Sequence, residues 1–289
     1  MKPLPFTLAM SNIAWAPDER LDAYRLMANA GLTSLEIAPG LFFHAADNPF
    51  VPDKSVADQA VREAEAFGLR LVSMQSLLFG VAGAALFEGH RARATLVEGM
   101  RRAIDLAGRF EIPNLVFGSP GQRNVPDTVA MDRARDEAAQ VFHDLADYAS
   151  KAGTRIAFEP NPAAYGTNFV NTLDEALAFI ERVNHPALVP ILDLGAMHMN
   201  GEFHEVPTRA PALASRLSHV HISEPNLDPA PARAVELAPV LSALGEAGYT
   251  RAVSIEMKRP EGGLAEVEAA LSRLIEATRS HETQEASHA

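Results

Sequence analysis

Short apolar runs alternate with longer amphipathic ones from one end of the chain to the other. The short runs read as buried strands: Phe6–Ile13, Thr33–Ile37, Arg70–Gln75, Asn114–Phe117, Arg155–Glu159, Val189–Asp193, Leu217–His221 and Ala252–Glu256. The long runs read as helices. Asp18 caps one that carries Leu21, Tyr24 and Met27 to Ala30, and Asp53 or Ser55 opens another that ends near Gly68. Further helices are predicted over His90–Phe110, Met131–Ala152, Leu173–Val183, Ala234–Ala247 and Leu264–Ser280, with a weak, proline-interrupted one over Val206–Ser215. Thr172, with Glu175 three residues on, is a capping pair for the Leu173 helix. Residues 281–289, HETQEASHA, are expected to be a disordered tail.

Strict strand–helix alternation with short buried strands implies parallel pairing. Eight such units in roughly 250 residues predict a closed (β/α)8 TIM barrel, an α/β fold forming a single domain over residues 1–280. The competing architecture is an open doubly wound sheet. No G-x-G-x-x-G follows the first strand, and an open sheet would leave the charged ends of strands five to eight in a line, whereas closure gathers them around one mouth.

Those strand ends carry the candidate chemistry. RIAFEPNP ends its apolar part in Glu159, VPILD ends in Asp193, LSHVH in His221 and VSIE in Glu256. A charged residue closing an apolar strand is costly unless something pairs with it. Two Glu, one Asp and one His form a mixed oxygen and nitrogen set suited to one divalent cation, Mn²⁺, Mg²⁺ or Co²⁺. His219 shares a face with His221 but sits a layer lower, as a core or supporting histidine. Gln75 ends the third strand and can position a substrate hydroxyl. Glu36 ends the second strand and can bind substrate or pair with a barrel arginine. Arg123, in the loop GSPGQRN, reads either as an acceptor of a phosphate or acid group or as a surface arginine.

The bulk numbers narrow the partners. The 289 residues carry 25 basic and 37 acidic side chains, a formal charge of −12. That acidic balance opposes binding to phosphate backbones, so no nucleic-acid partner is expected. The absence of cysteine excludes disulfides, thiolate metal sites and cysteine nucleophiles. No apolar run approaches the ~20 residues of a membrane span. Lys2 with Ala14–Ala16 faintly resembles a signal segment, but Ser11 and Asn12 break the apolar stretch, and a cytoplasmic protein is expected.

Four segments together resemble the sugar phosphate isomerase/epimerase family, the xylose-isomerase-like barrels: FEPNP with Glu159, ILDLGAMHMN with Asp193 and His198, HVHISEP with His221 and Glu224, and SIEM with Glu256. The resemblance spans nearly the whole chain. It implies a ketose 3-epimerase-like site in which Glu159, Asp193, His221 and Glu256 bind one divalent metal. By the same resemblance Glu159 and Glu256 are the catalytic proton-transfer pair, and His198 and Glu224 join Gln75, Glu36 and Arg123 as substrate-binding residues. A carbohydrate substrate and a homo-oligomer, dimer or tetramer, go with this reading. The sequence departs from those epimerases in two places: four residues rather than two separate Asp193 from His198, and Leu227 stands where they carry an arginine.

Other readings use the same barrel. A keto-inositol dehydratase needs similar metal and acid–base parts. An apurinic-endonuclease-like repair enzyme needs more histidines near strands two to six and basic loops. A non-catalytic sugar-binding barrel has no need of two opposed glutamates.

Overall fold

β1 is Thr7–Ser11, and the Ser11 hydroxyl accepts from the Ile13 amide, which turns the chain into the single 3₁₀ turn Asn12–Ala14. The computed structural model describes residues 4–288, so Lys2 lies outside the described residues. In chain order β1 is followed by α1 (Arg20–Asn29), β2 (Ser34–Ile37), α2 (Pro39–Phe42), α3 (Lys54–Glu65), β3 (Arg70–Met74), α4 (His90–Arg109), β4 (Leu115–Phe117), α5 (Met131–Lys151), β5 (Ile156–Phe158), α6 (Leu173–Val183), β6 (Leu188–Asp193), α7 (Leu194–Met199), α8 (Val206–Leu213), β7 (His219–Ile222), α9 (Ala234–Glu246), β8 (Ala252–Ile255) and α10 (Leu264–His288). The strands form a closed barrel in the order β1 to β8, the (β/α)8 architecture predicted from the alternation.

Two compact units make up the chain: one is Ile37–Ala57 with Leu71–Leu192, and the other runs up to Glu36 and adds Asp58–Arg70 and everything from Asp193 onward. In the Ile37–Leu192 unit, β4 pairs in parallel with β5 through Val116↔Ala157 and Phe117↔Phe158, and β5 with β6 through Phe158↔Pro190. The period of two sorts these strands into faces. Val116, Ala157 and Ile191 pack together on one face. Phe117 and Phe158 turn to the other, where they meet Phe142 of α5 and Phe179 of α6 at centroid separations of 4.9–5.8 Å. Glu159, two residues beyond Ala157, follows the face that Ala157 occupies.

The unit holding both termini has β1 between β8 and β2, with β7 pairing to β8. Here one face is polar: Ser11, Ser34, Glu36, His219, His221 and Ser254 are all buried. Register sets small residues opposite large ones, Ser11↔Glu36, His219↔Ala252 and His221↔Ser254, so the bulky polar groups fit inside a tight barrel. Around it α8, α9 and α10 pack in succession. A clasp closes the unit, because Arg259 after β8 donates from Nε and Nη2 to the two oxygens of Glu19 at 2.8 and 3.0 Å.

Two elements differ from the sequence reading. The sequence reading assigns no helix directly after Asp193, where the structure has α7, because Asp193 caps it, its Oδ1 accepting from the Ala196 amide at 2.5 Å, and Leu, Ala and Met then favour helix. α10 continues to His288 rather than ending near Ser280, since HETQEASH holds neither Gly nor Pro to stop it. The Thr172 cap of α6 is as predicted, with Oγ1 accepting from the Glu175 amide at 3.2 Å. No helix among the described residues is long and apolar enough to cross a membrane.

Replacing Phe142 by Ala empties the centre of the aromatic cluster and is expected to cost about 3–5 kcal/mol of unfolding free energy, read by chemical denaturation. Glu19→Gln tests the clasp. The Arg259 guanidinium, helped by the Ala16 amide, holds the Glu19 carboxyl down at about 2, against 4.5 ordinarily. A depressed folded value stabilises above the ordinary range and is lost as pH falls through the folded one. The melting temperature of Glu19→Gln is therefore expected below wild type at about pH 7, with the gap narrowing as pH drops below 4.5 toward 2.

Candidate metal centre

His221 is the hub of the site. It is fully buried in β7, and its two ring nitrogens face different partners. Nε2 lies 3.1 and 3.0 Å from the two oxygens of Glu36. Nδ1 lies 3.2 Å from Glu256 Oε2 and 3.6 Å from Asp193 Oδ2. Burial alone would push the Glu36 carboxyl up, but His221 and His219 hold it well below the usual carboxylate range. An ionised carboxylate only accepts, so His221 donates to Glu36 from Nε2. Nδ1 faces the Asp193 and Glu256 carboxylates.

One ligand atom each from Asp193, His221 and Glu256 lies within 4.8 Å of the others, and all three residues are buried. Carboxylates gathered in a dry interior are stabilised by a cation among them. Two carboxylate oxygens and one imidazole nitrogen suit a hard or borderline divalent ion. The residues present therefore fit the metal that the sequence predicted. A second cluster, Glu36 with His219 and His221, is also compact enough to hold an ion. Its carboxylate is already matched by two imidazoles, the His219 Nε2 lying 3.4 Å from Glu36 Oε2, so it serves as support for the first.

Local structure fixes each ligand. Asp193 ends β6 and caps α7 with Oδ1, which leaves Oδ2 toward His221. Gly195 lets α7 approach the turn after β7, where its amide donates to Ser223 Oγ at 2.9 Å; a Cβ there would sit 2.9 Å from the Glu224 carbonyl oxygen. In the other unit Glu159 immediately follows β5, and its Oε2 accepts from Asn161 Nδ2 at 3.0 Å.

The remaining candidates divide. His198, in α7, stacks on Phe203 with centroids 3.8 Å apart and planes 11° from parallel, which holds its ring in one orientation. Gln75 is buried directly after β3, its amide donating to the Ile37 carbonyl at 2.8 Å. Glu36 is fully buried inside β2, with His219 and His221 against its carboxylate. Glu224 accepts from the Ala232 amide through Oε1 at 2.8 Å, which anchors a loop. One alternative needs correction. Arg123 is not on the surface: it is 0% exposed, lies over the Phe158 ring and donates to Asn161 Oδ1 at 2.8 Å. Asn161 and Phe203 were not singled out from sequence. Asn161 sits two positions from Glu159 in EPNP, a spacing that offered the signal.

The sequence profile of the xylose isomerase-like TIM barrel family matches residues 24–281. The chain belongs to this family. Among curated proteins it is 30% identical over 160 residues to an L-ribulose 3-epimerase of Methylomonas sp. (strain DH-1), covering 54% of each chain. It is 30% identical over 160 residues to a ketose 3-epimerase of Arthrobacter globiformis, covering 54% of this chain and 53% of that one. The chain thus spans about half the length of the curated relatives it matches. Among solved structures, 3-keto-D-glucoside 4-epimerase from E. coli superposes with a TM-score of 0.74 at 17% identity, over 94% of this chain and 98% of that one. D-allulose 3-epimerase from Methylomonas sp., solved with D-allulose, superposes with a TM-score of 0.69 at 22% identity over 98% of both chains. Within the family's barrel, Asp193, His221 and Glu256 lie around a common point.

Glu36→Gln tests the support of His221. The amide offers a donor as well as an acceptor and no longer requires His221 to donate from Nε2. Affinity for added Mn²⁺, read by titration calorimetry, is expected to fall about 10–100-fold; unchanged affinity would separate Glu36 from the ligand set.

Proposed function

We propose that the protein is a divalent-metal-dependent sugar epimerase that moves a proton next to the carbonyl of a ketose. The observation that carries this reading is the close approach of ligand-capable atoms of Asp193, His221 and Glu256 in the buried interior. Glu159, which ends the neighbouring strand β5 of the closed barrel, is proposed as the fourth ligand. The cation is proposed to be Mn²⁺, Mg²⁺ or Co²⁺. The names of the curated relatives, an L-ribulose 3-epimerase and a ketose 3-epimerase, support the substrate class.

When bound, such an ion supplies positive charge at the substrate carbonyl oxygen and lowers the cost of forming an enediolate there. The protein's own residues do the rest. Glu159 and Glu256 close strands five and eight, and are proposed to face the substrate from opposite sides. One takes the proton from the carbon beside the carbonyl and leaves its electron pair in the enediolate. The other returns a proton to the opposite face of the same carbon, which inverts that centre without net oxidation or reduction. His198, held by Phe203, orients a hydroxyl through its imidazole, and Gln75 offers an amide to a second. A dehydratase acting on a keto-inositol would use the same base but release water; its product separates the two readings.

Purified protein is expected to carry about one divalent ion per chain by elemental analysis, and chelation to abolish turnover and lower the melting temperature. With Mn²⁺ in deuterium oxide, a panel of ketoses followed by NMR should show deuterium entering beside the carbonyl. Glu159→Gln and Glu256→Gln keep the shape and an oxygen for the ion but cannot take a proton. Each is expected to lower turnover at least ~10²-fold, and the double variant not to multiply the two losses. Near-normal turnover in both single variants would overturn the two-glutamate mechanism.

A further inference from the structure

We infer that Arg123, acting through Asn161, is a positioning residue that fixes the Glu159 carboxylate, and that Gly118 keeps open the slot in which that carboxylate lies. The inference rests on the role proposed for Glu159.

A guanidinium buried to zero exposure is an odd component for an interior. Taking that charge out of water is expensive, and an apolar side chain of similar volume often serves stability as well or better. Burial pulls the Arg123 guanidinium down to about 9, partly opposed by the nearby Glu159 charge. Its Nε and Nη1 have no hydrogen-bond partner. The contacts it does make lead to one place. Nη2 donates to Asn161 Oδ1 at 2.8 Å and stands 3.5 Å from the Val170 carbonyl, while the planar group lies 5.0 Å from the Phe158 ring centre.

Chemistry fixes the sense of the chain. An arginine only donates, so the Asn161 oxygen must face it. The Asn161 amide nitrogen is then turned to Glu159, where it donates to Oε2 at 3.0 Å. The asparagine has little freedom to turn otherwise: its backbone amide donates to the Val170 carbonyl at 3.3 Å, and its carbonyl accepts from Asn171 Nδ2 at 2.8 Å. The loops after β4 and β5 are stitched to each other as well. Asn168 Nδ2 donates to the Val125 carbonyl at 2.9 Å and Asn168 Oδ1 accepts from the Val125 amide at 2.7 Å. Arg123 thus pushes against Asn161 from a rigid base. From the remaining side the backbone of Gly118 closes in. A Cβ there would overlap Glu159 Oε2 and lie 3.4 Å from Asn161 Oδ1, so only glycine leaves the carboxylate in its present place. Two independent features, a directed chain of donors and a missing side chain, select one orientation of one carboxylate.

The test is a double-mutant cycle on the full chain, read in two ways. Crystal structures of wild type, Arg123→Met, Asn161→Leu and Gly118→Ala report the Glu159 side chain whatever the activity. In each variant it is expected to leave its wild-type rotamer or to split between two. For a ketose turned over with Mn²⁺, Arg123→Met and Asn161→Leu are each expected to lower kcat about 10-fold or more, with KM within about three-fold. Because Arg123 acts through Asn161, the double variant should be no slower than Asn161→Leu alone. Arg123→Lys, which still donates to Oδ1, should regain part of the rate. Asn161→Asp keeps the acceptor for Arg123 but sets a second carboxyl oxygen where the donor to Glu159 stood. It guards against misfolding in the leucine variant and is expected to turn Glu159 away. A Glu159 that keeps its position in both Asn161 variants, or losses in kcat that multiply in the double variant, would overturn the inference. Wild-type protein inert on every ketose would overturn the epimerase reading, and the crystal structures would still decide the positioning role.

Discussion

Three carboxylates gathered about one buried imidazole are the constraint on which the interior depends. Asp193 Oδ2, Glu256 Oε2 and His221 Nδ1 all face one small region away from water. The Glu36 carboxylate, buried beside them, accepts from His221 Nε2. In a low-dielectric setting a cation stabilises such a gathering of acidic groups. The barrel supplies the rigidity that keeps the acceptors from swinging apart. Parallel strands are held on both sides, small residues sit in register with the bulky polar ones, and the helices close over the outside.

This part of the barrel is built differently from an ordinary packed core. On β4, β5 and β6 one face carries Val116, Ala157 and Ile191 and the other the phenylalanine cluster, so those strands contribute burial of apolar surface. On β1, β2, β7 and β8 the corresponding face carries serines, a glutamate and histidines. Those groups add little net stability even when paired, because their desolvation offsets most of what their hydrogen bonds return. The apolar strands and the helix packing therefore sustain the fold, while the polar strands hold a geometry.

The barrel was legible because its periodicity switches eight times between two and 3.6, and no other feature of the sequence competes with that signal. The candidate strand ends stand out for a related reason: Glu159, Asp193, His221 and Glu256 are ionisable groups that close otherwise apolar runs. What stayed hidden depends on distant partners. Glu36 and His221 stand 185 positions apart, and only closure of the barrel makes them neighbours. Arg123 sits in a loop of Gly, Ser, Pro and Asn, which reads as solvated; its burial comes from a second loop, around Val170, folding over it. The α7 helix was missed because Asp193 was credited with one role when its two oxygens have two.

That last point generalises within this protein. A carboxylate or an imidazole has two polar atoms, and the fold engages one to aim the other. Asp193 gives Oδ1 to the first turn of α7, which leaves Oδ2 toward the centre. His221 gives Nε2 to Glu36, which leaves Nδ1 toward Asp193 and Glu256. Glu159 has Oε2 held by Asn161, in a slot shaped by the absence of a side chain at Gly118. The anchors differ in kind: a helix N-terminus, a buried carboxylate, and an amide backed by a guanidinium. They share a physical effect, since each replaces free rotation of a long or planar group by one orientation before any ligand arrives. The entropy of ordering is then met during folding, by secondary structure and packing that form in any case, and is not charged against binding or the reaction.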